Sequence, residues 1–288
     1  MKIGVFGAGA WGTALAYTCV RSGNEVIHWA YKGIFDGLTD LEKPNAVTRT
    51  DKMEDLKSCE YWLIVTPAAF FRETVRKMRA VYAGQPILIC TKGMEGETGE
   101  FMTEILNAEL PECTDFGVLS GPQFAREVAT GVPTGSTIAG NKRVCSGGHI
   151  ALSALYLQDS TDFIGAQLCG VGKNADSLIS GYMTVKGRGE NERALVFTRA
   201  WNEIAELGIK MGAECGTFLG LCGVGDLFLS ATSPTSRNFS AGQSIARGEE
   251  YTANTVEGIF ALRGLIRRAE KLGVQTPVLC EMKEKMGL

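Results

Sequence analysis

The chain has 288 residues, of which 45% are hydrophobic and 21% are charged, and its formal net charge is −3. This length and composition are typical of a globular protein with one large domain or two ordinary ones. The near balance of 29 basic and 32 acidic residues argues against a nucleic-acid-binding protein and against a protein that binds anionic membranes.

Cysteine and histidine usage argues against a metal site and against disulfides. The nine cysteines are scattered, none of them forms a Cys-x-x-Cys pair, and His28 and His149 are the two histidines. The ligand spacing of zinc sites is therefore absent, and no metal is expected. Reduced, mostly buried thiols are typical of a cytoplasmic protein.

The start of the chain carries a dinucleotide-binding motif in its expected context. A short apolar strand, residues 3–6, leads into Gly7-x-Gly9-x-x-Gly12, and an Ala/Leu-rich helix follows. Gly7 allows the tight turn, Gly9 lets a pyrophosphate approach the backbone, and Gly12 lets the helix pack on the strand. The pyrophosphate is expected at the helix N-terminus, where N–H groups and the helix dipole favour an anion.

The same residues admit a second interpretation. Lys2 followed by the uncharged run 3–20 also resembles a signal peptide. Four glycines in that run would break an apolar helix, and the dinucleotide motif accounts for all of them. We therefore expect a cytoplasmic protein without membrane insertion.

The end of the second predicted strand, residues 25–30, bears on the choice of cofactor. A fold specific for NAD usually places Asp or Glu there, on the ribose 2′-OH. This chain has Tyr31 and Lys32 instead, which favours NADP(H) and leaves NAD(H) open. The alternative is that Lys32 is a solvated loop residue, and Asp36 lies close in sequence.

Strands and helices alternate through the rest of this half. Residues 33–57 are predicted to form a polar loop with one short helix, and further strands are predicted at 61–65, 86–90, 116–119, 137–140 and 161–164. The alternation predicts a doubly wound, mostly parallel sheet of the Rossmann type. Ligands of such sheets bind beyond the carboxyl ends of the strands. Lys92 and Gly121 are expected at that edge, together with Gly9.

The second half has a different pattern. Apolar residues recur at helical spacing over 194–208 and 259–272, and no alternating strand pattern is visible. The prediction is an α/β dinucleotide-binding domain over residues 1–164 and an all-helical substrate domain over residues 165–288.

An enzyme that moves a hydride to or from a carbonyl needs an acid/base for the oxygen. His28 lies in a predicted strand and His149 in a predicted sheet-covering helix, so neither is favoured. Lys173 is the candidate, at the domain junction where a helix is expected to begin. A lysine at a helix start is also often simply solvated.

Two further polar groups lie in the helical half. Asp226 follows a glycine-rich turn, where it is either a functional carboxylate or an ordinary turn or cap residue. Arg237 stands between Ser236 and Asn238, a combination that suits a phosphate group, and it is otherwise a surface cation.

Together these motifs resemble bacterial-type NAD(P)-dependent glycerol-3-phosphate dehydrogenases. The similar segments fall in the family's order and nearly span the chain: residues 7–16, 91–93, 119–127, 173–174, 220–227, 236–238 and 256–258. The resemblance implies reversible reduction of dihydroxyacetone phosphate to sn-glycerol 3-phosphate, which supplies glycerophospholipid synthesis. The implied partner is a small phosphorylated substrate, and a homodimer is left open.

The resemblance also implies residue roles. Lys173 would be the acid/base, Lys92 would contact substrate and cofactor, and Asp226 would orient the substrate or Lys173. The other implied substrate residues are Gly121, Gln123, Ser236, Arg237 and Asn238. The implied cofactor residues are Gly7, Gly9, Ala10, Trp11, Gly12, Tyr31, Lys32, Lys92, Ala125, Arg237 and Glu257.

The chain departs from the family pattern at several points. Gln123 stands where the family has Thr or Ser, Gly172 replaces an apolar residue, and residues 33–50 are shorter than usual. These departures keep two alternatives open. One is a related two-domain reductase of another hydroxy or keto acid, and the other is a catalytically silent NADP-binding protein.

Overall fold

The structure is a computed structural model that describes residues 1–96, 98–251 and 256–288. By its internal contacts the chain divides into two compact units. The first comprises residues 1–92 and 101–163, and the second comprises residues 93–100 and 164–288.

The first unit is an eight-stranded sheet with helices. Its strands are β1 (Lys2–Phe6), β2 (Glu25–Trp29), β3 (Val47–Thr50), β4 (Tyr61–Ile64), β5 (Ile87–Ile89), β6 (Phe116–Ser120), β7 (Gly135–Gly140) and β8 (Tyr156–Ser160). Its helices are α1 (Ala10–Arg21), α2 (Ala68–Met78), α3 (Met102–Glu109), α4 (Ala125–Thr130) and α5 (Lys142–Ala151). The strand order is β3-β2-β1-β4-β5-β6-β7-β8, and every neighbouring pair is parallel except β6 and β7. The predicted doubly wound, mostly parallel sheet is confirmed.

Both faces of the central strands are buried. Along β1 and β4, Val5 and Leu63 pack into one apolar cluster, while Phe6 and Ile64 pack into the cluster on the opposite face. Successive side chains of a strand point to opposite faces, so a strand covered on both sides is apolar throughout. This is why the central strands are recognisable as continuous apolar runs.

The two edge strands differ from the sequence-based expectation. β3 lies in the stretch predicted to be a loop, and its Val47 is buried whereas Arg49 is exposed. The last strand is β8, whereas the sequence predicts a strand at residues 161–164. The side chains of β8 are mostly exposed, so no apolar run marks this strand in the sequence. Phe163 instead begins a helix, and its ring contacts Phe116 with the centroids 6.0 Å apart.

The second unit is helical, as predicted. Its helices are α6 (Phe163–Lys186), α7 (Glu190–Lys210), α8 (Asp226–Thr232), α9 (Arg237–Arg247), α10 (Glu257–Leu272) and α11 (Pro277–Lys285), and short turns of 3₁₀ and π helix precede α8. Lys173 lies in the middle of α6 and not at a helix start. A Cβ on the preceding Gly172 would lie 2.6 Å from Cγ2 of Ile204, so the glycine lets α7 approach α6 closely.

Residues 93–100, which the sequence places in the first domain, group with the second unit. Met94 occupies the space beside Gly264 of α10, where a Cβ would collide with its sulfur. Arg267 donates a hydrogen bond to the carbonyl oxygen of Gly96 at 3.3 Å. Packing against α10 therefore decides where this short segment belongs.

Residues Cys215–Thr232 have a mean hydropathy of 1.4 and by length and composition could cross a membrane. The segment is not one continuous helix, because a 3₁₀ turn (Cys215–Leu219) and a π turn (Leu221–Gly225) precede the seven-residue α8. It also contains a fully buried carboxylate, Asp226. The expectation of no membrane insertion stays a prediction.

Candidate functional site

The three motif glycines form a turn that is tightly packed on two sides and open on the third. Gly7 has φ +112°, and a Cβ there would lie 2.9 Å from the backbone nitrogen of Thr66. A Cβ on Gly12 would collide with the carbonyl oxygen of Gly7, whereas a Cβ on Gly9 would meet nothing within 4 Å. Gly9 is the N-cap of α1, and no side chain caps this helix. The first-turn N–H groups are thus arranged to receive an anion, which fits a cofactor pyrophosphate.

His28 forms a hydrogen bond to the backbone of this turn. It lies within β2, fully buried, and its Nε2 is 2.9 Å from the carbonyl oxygen of Gly7. Burial lowers the pKa of His28 to about 4, so the imidazole is neutral at pH 7 and Nε2–H donates to that oxygen. Its position gives it a structural role in the turn.

Gly37 packs against the motif turn from the segment that follows β2. Its N–H donates to the carbonyl oxygen of Ala8 at 3.1 Å. A Cβ on Gly37 would collide with the carbonyl group of Gly9 and lie 2.5 Å from the nitrogen of Ala10. Only glycine fits there, and no local sequence pattern marks the position, because the contact joins distant residues.

The end of β2 carries cations. Tyr31 and Lys32 are both exposed, and Lys32 adopts φ 54°. The ammonium of Lys32 lies 5.3 Å from the centroid of the Tyr31 ring, and the ammonium of Lys77, from α2, lies 4.6 Å from the same centroid. Lys77 was not among the residues predicted from the sequence.

The predicted strand-end residues of the first unit come together. Lys92, after β5, donates to the carbonyl oxygen of Gly121 at 2.7 Å, and its Nζ lies 5.9 Å from the centroid of the Trp11 ring. Trp11 in turn donates from Nε1 to the carbonyl oxygen of Cys90 at 3.1 Å. A Cβ on Gly121 would lie 2.8 Å from Cα of Ser136, so no larger residue fits there.

Several buried polar atoms near these strand ends lack a hydrogen-bond partner in the structure. They include both amide atoms of Gln123 and the hydroxyls of Thr66, Ser120 and Ser136. A buried donor or acceptor without a partner costs about 1–3 kcal/mol, so such atoms commonly mark the place of a ligand or of water. Gln123 therefore presents an unused amide donor and acceptor near these strand ends.

In the second unit, Lys173 of α6 forms a buried cluster with two residues of α8. Its Nζ donates to Oδ1 of Asp226 at 2.9 Å and to Oγ of Ser230 at 3.0 Å. Asp226 is fully buried, and the Lys173 side chain is 11% exposed. Because an ammonium has three N–H donors, these two bonds fix its direction and engage two of the three donors.

Ser230 is a site residue that the sequence-based prediction missed. It lies four residues after Asp226, and residues at that spacing share one helix face. Its hydroxyl is 3.3 Å from Oδ1 of the same carboxylate. The spacing would have identified it, had α8 been predicted to start at Asp226.

Asn174 connects two of the predicted residues. Its amide nitrogen donates to Oε2 of Glu257 at 3.2 Å, and its amide oxygen accepts from Nδ2 of Asn238 at 2.9 Å. Oδ1 of Asn238 accepts from the backbone N–H of Gly258 at 2.9 Å. The start of α9 and the start of α10 are therefore tied to the residue that follows Lys173.

The remaining predicted residues lie at helix starts. Ser236 is the N-cap of α9, and its hydroxyl accepts from the N–H of Phe239 at 3.4 Å. Arg237, the first residue of that helix, is exposed. Ala10 is exposed at the start of α1, and Ala125, at the start of α4, packs partly against the core.

No group of three or more His, Cys, Asp or Glu side chains that would hold a metal ion occurs within the described ranges 1–96, 98–251 and 256–288. The polar clusters above are built instead from lysine, amide, hydroxyl and single carboxylate groups. Such groups orient organic substrates and transfer protons.

Comparison with known proteins gives consistent matches along both units. The family model described as NAD-dependent glycerol-3-phosphate dehydrogenase N-terminus matches residues 2–145, and the one described as its C-terminus matches residues 162–284. The glycerol-3-phosphate dehydrogenase [NAD(P)+] of Hyphomonas neptunium is 36% identical over 299 residues, covering 96% of this chain and 88% of its own length. That of Rhodospirillum rubrum is 36% identical over 304 residues, covering 96% and 85%.

Two solved structures show how far the similarity of fold extends. The crystal structure of glycerol-3-phosphate dehydrogenase from Coxiella burnetii superposes with a TM-score of 0.91 at 27% identity, covering 99% of this chain and 94% of its own. A 2-dehydropantoate 2-reductase from Geobacter metallireducens superposes with a TM-score of 0.65 at 12% identity and so shares the fold alone.

Proposed function

Because the chain belongs to the NAD-dependent glycerol-3-phosphate dehydrogenases, an NAD(P)-dependent enzyme family, we propose that it reduces dihydroxyacetone phosphate reversibly to sn-glycerol 3-phosphate. The observation that carries the proposal is the buried cluster of Lys173, Asp226 and Ser230. It presents one oriented N–H donor, which is what a ketone oxygen needs as it becomes a hydroxyl.

The cofactor, when bound, supplies or accepts the hydride. Its pyrophosphate is proposed to bind at the motif turn, where the open face of Gly9 and the uncapped start of α1 favour an anion. The proposed cofactor residues are Gly7, Gly9, Ala10, Trp11, Gly12, Tyr31, Lys32, Lys92, Ala125, Arg237 and Glu257. The lysines near the end of β2 favour NADP(H), and NAD(H) is the alternative cofactor.

Lys173 supplies the proton in this proposal. During reduction the carbonyl carbon gains a hydride and the carbonyl oxygen takes a proton from Nζ, and in the reverse direction Nζ accepts that proton. The carboxylate of Asp226 and the hydroxyl of Ser230 hold Nζ in place throughout. A proton donor fixed in this way contributes about 10²- to 10⁴-fold in rate.

The substrate phosphate requires cations and neutral donors. We assign it to the exposed guanidinium of Arg237, which suits planar, bidentate contacts with phosphate oxygens. The other substrate residues in the proposal are Lys92, Gly121, Gln123, Lys173, Asp226, Ser236 and Asn238. Asn238 acts with its amide already held by Asn174 and Gly258, which fixes its orientation.

At the level of the chain, we propose a dinucleotide-binding domain over residues 1–164 and an all-helical substrate domain over residues 165–288, and each domain also supplies some of the residues assigned above to the other ligand. The enzyme is proposed to be cytoplasmic, to act as a homodimer, and to supply glycerol 3-phosphate for glycerophospholipid synthesis.

The test follows the absorbance of NADPH in the purified protein with dihydroxyacetone phosphate, and in parallel with dihydroxyacetone and a 2-keto acid. The proposal expects a kcat/KM at least about 100-fold higher for the phosphorylated ketone, because a phosphate held by charge-assisted bonds contributes about 3 kcal/mol. A preference for the unphosphorylated keto acid would favour a related reductase instead. NADPH binding without oxidation of any of these would identify a silent binding protein.

A further inference from the structure

Two lysines from separate segments meet at one exposed aromatic ring. Tyr31 follows β2 directly, and its side chain is 55% exposed. The ammonium of Lys32 lies 5.3 Å and that of Lys77 lies 4.6 Å from the ring centroid. Cation–π attraction holds an ammonium over such a ring, so Tyr31 gathers cations from the turn after β2 and from α2.

The position of these cations gives them a specific meaning. In a dinucleotide-binding sheet, the end of the second strand is where the adenosine ribose is recognised, and NAD-specific proteins place a carboxylate there. Here the residues at 30–33 are Ala, Tyr, Lys and Gly, without a carboxylate. The two ammonium groups beside this ring together carry the positive charge that balances a phosphate dianion on the ribose.

Lys77 has an acidic neighbour that must be considered. Its Nζ forms an ion pair with Oε1 of Glu73 at 2.6 Å, one helical turn away, and the two side chains are 41% and 62% exposed. Exposed pairs of this kind contribute little to stability and rearrange readily. Lys77 is therefore accessible to a stronger anionic partner, whose binding Glu73 opposes through its negative charge.

We propose that Lys77, together with Lys32, binds the ribose 2′-phosphate of NADP(H) and sets the preference of this enzyme for NADP(H) over NAD(H). The proposal deepens the proposed function and rests on the assignment of the cofactor to the motif turn. Lys77 contributes from α2 and Lys32 from the turn after β2, so two separate elements supply the positive charge.

The experiment measures the dissociation constants of adenosine 2′,5′-bisphosphate and adenosine 5′-monophosphate by titration calorimetry, so it needs no turnover. The variants are Lys77→Met, which keeps the aliphatic stem beside Tyr31, and Lys52→Met as a matched control at another exposed lysine. Lys77→Met is expected to weaken the bisphosphate about 5- to 30-fold, which is the effect of one partly exposed charge-assisted contact. The monophosphate and the control variant should change less than about twofold.

A second variant tests the same site in the opposite direction. Glu73→Gln removes the competing carboxylate and is expected to tighten the bisphosphate about two- to threefold, again without changing the monophosphate. In turnover, Lys77→Met should lower kcat/KM for NADPH by the same factor as the bisphosphate affinity and leave that for NADH unchanged.

The proposal is overturned if Lys77→Met leaves bisphosphate binding unchanged, or if it weakens both nucleotides equally, because Lys77 would then only pack beside Tyr31. A failure of the proposed reaction would give a different result. Dihydroxyacetone phosphate would then not be reduced, but the nucleotide preference and its dependence on Lys77 would still be observed.

Discussion

Glycines at the motif turn determine how closely three backbone segments approach one another. Gly12 brings α1 against the turn, and Gly37 brings the segment after β2 against it from another side. The roles of Gly7, Gly9 and Gly12 are predictable, because their spacing is local and follows a strand. Gly37 and Lys77 escape prediction because each acts through a tertiary contact that local sequence does not encode, whereas Ser230 was missed because α8 was not predicted to start at Asp226.

Gly37→Ala tests whether this close approach matters for the cofactor. A Cβ at position 37 would collide with the carbonyl group of Gly9, so the segment or the turn must shift. We expect NADPH to bind at least about tenfold more weakly, since misplacement of binding groups by an ångström is costly. Fluorescence titration with NADPH measures this effect.

The matched control is Gly216→Ala, where a Cβ would meet nothing within 4 Å. Its NADPH affinity should equal that of the wild type. Unchanged NADPH affinity in Gly37→Ala would show that the segment after β2 can move away without disturbing the turn.

Helix α6 shows both the strength and the limit of prediction at the level of elements. The sequence predicts that a helix begins near Lys173, but α6 starts at Phe163, ten residues earlier. Glycines in its first half lower helix propensity, and tight packing against α7 compensates, as the contact of Gly172 with Ile204 shows. The edge strands β3 and β8 were missed because half-exposed strands lack the apolar run that marks a buried strand.

The same helix carries a carboxyl group that the proposed mechanism does not use. Asp176 is fully buried, and neither of its side-chain oxygens has a hydrogen-bond partner in the structure. Burial raises the pKa of Asp176 well above its usual value near 3.8. The folded protein therefore holds a proton on this group at pH values where the unfolded chain has lost it.

This asymmetry predicts a pH-dependent stability. The folded-state pKa exceeds the unfolded one, so stability linked to this group is full below about pH 4 and declines as pH rises towards the folded-state pKa. Asp176→Leu removes the ionisable group and is expected to raise the free energy of unfolding by about 1–3 kcal/mol at pH 7, with a smaller gain at pH 4.5. Urea denaturation at pH 4.5, 6 and 7 measures the difference.

The control is Asp51→Leu, an exposed aspartate in the first unit. Its difference from the wild type should not follow this pH trend. A gain for Asp176→Leu that is constant with pH would mean that Asp176 carries no excess proton in the folded state.

For the molecule as a whole, the two units have separate chemical content. The first holds the dinucleotide motif and the contact between Lys92 and Gly121, and the second holds the cluster of Lys173 with Asp226. The same fold occurs in reductases that act on different substrates. The similarity to a 2-dehydropantoate 2-reductase, with a TM-score of 0.65, therefore does not indicate the substrate of this chain. The assignment to glycerol-3-phosphate dehydrogenase depends on family matches along both units.

The fold class, the parallel sheet and the helical second half follow from hydrophobic periodicity, because long, strongly patterned segments dominate them. The strand-edge position of Lys92 and Gly121 follows from the rule for parallel sheets. The partners of Lys173 do not, because they depend on how α6 and α8 pack. The contacts of Asn174 with Glu257 and Asn238 are likewise not predictable, because they join helices that are distant in sequence.

The most direct test of the account is the turnover of Lys173→Ala with saturating NADPH and dihydroxyacetone phosphate, beside Lys186→Ala, an exposed lysine at the end of the same helix. If Lys173 moves the proton, its variant should lose about 10²- to 10⁴-fold in kcat while still binding NADPH, and Lys186→Ala should match the wild type. Near-normal turnover of Lys173→Ala would contradict the assignment of the proton-transfer step.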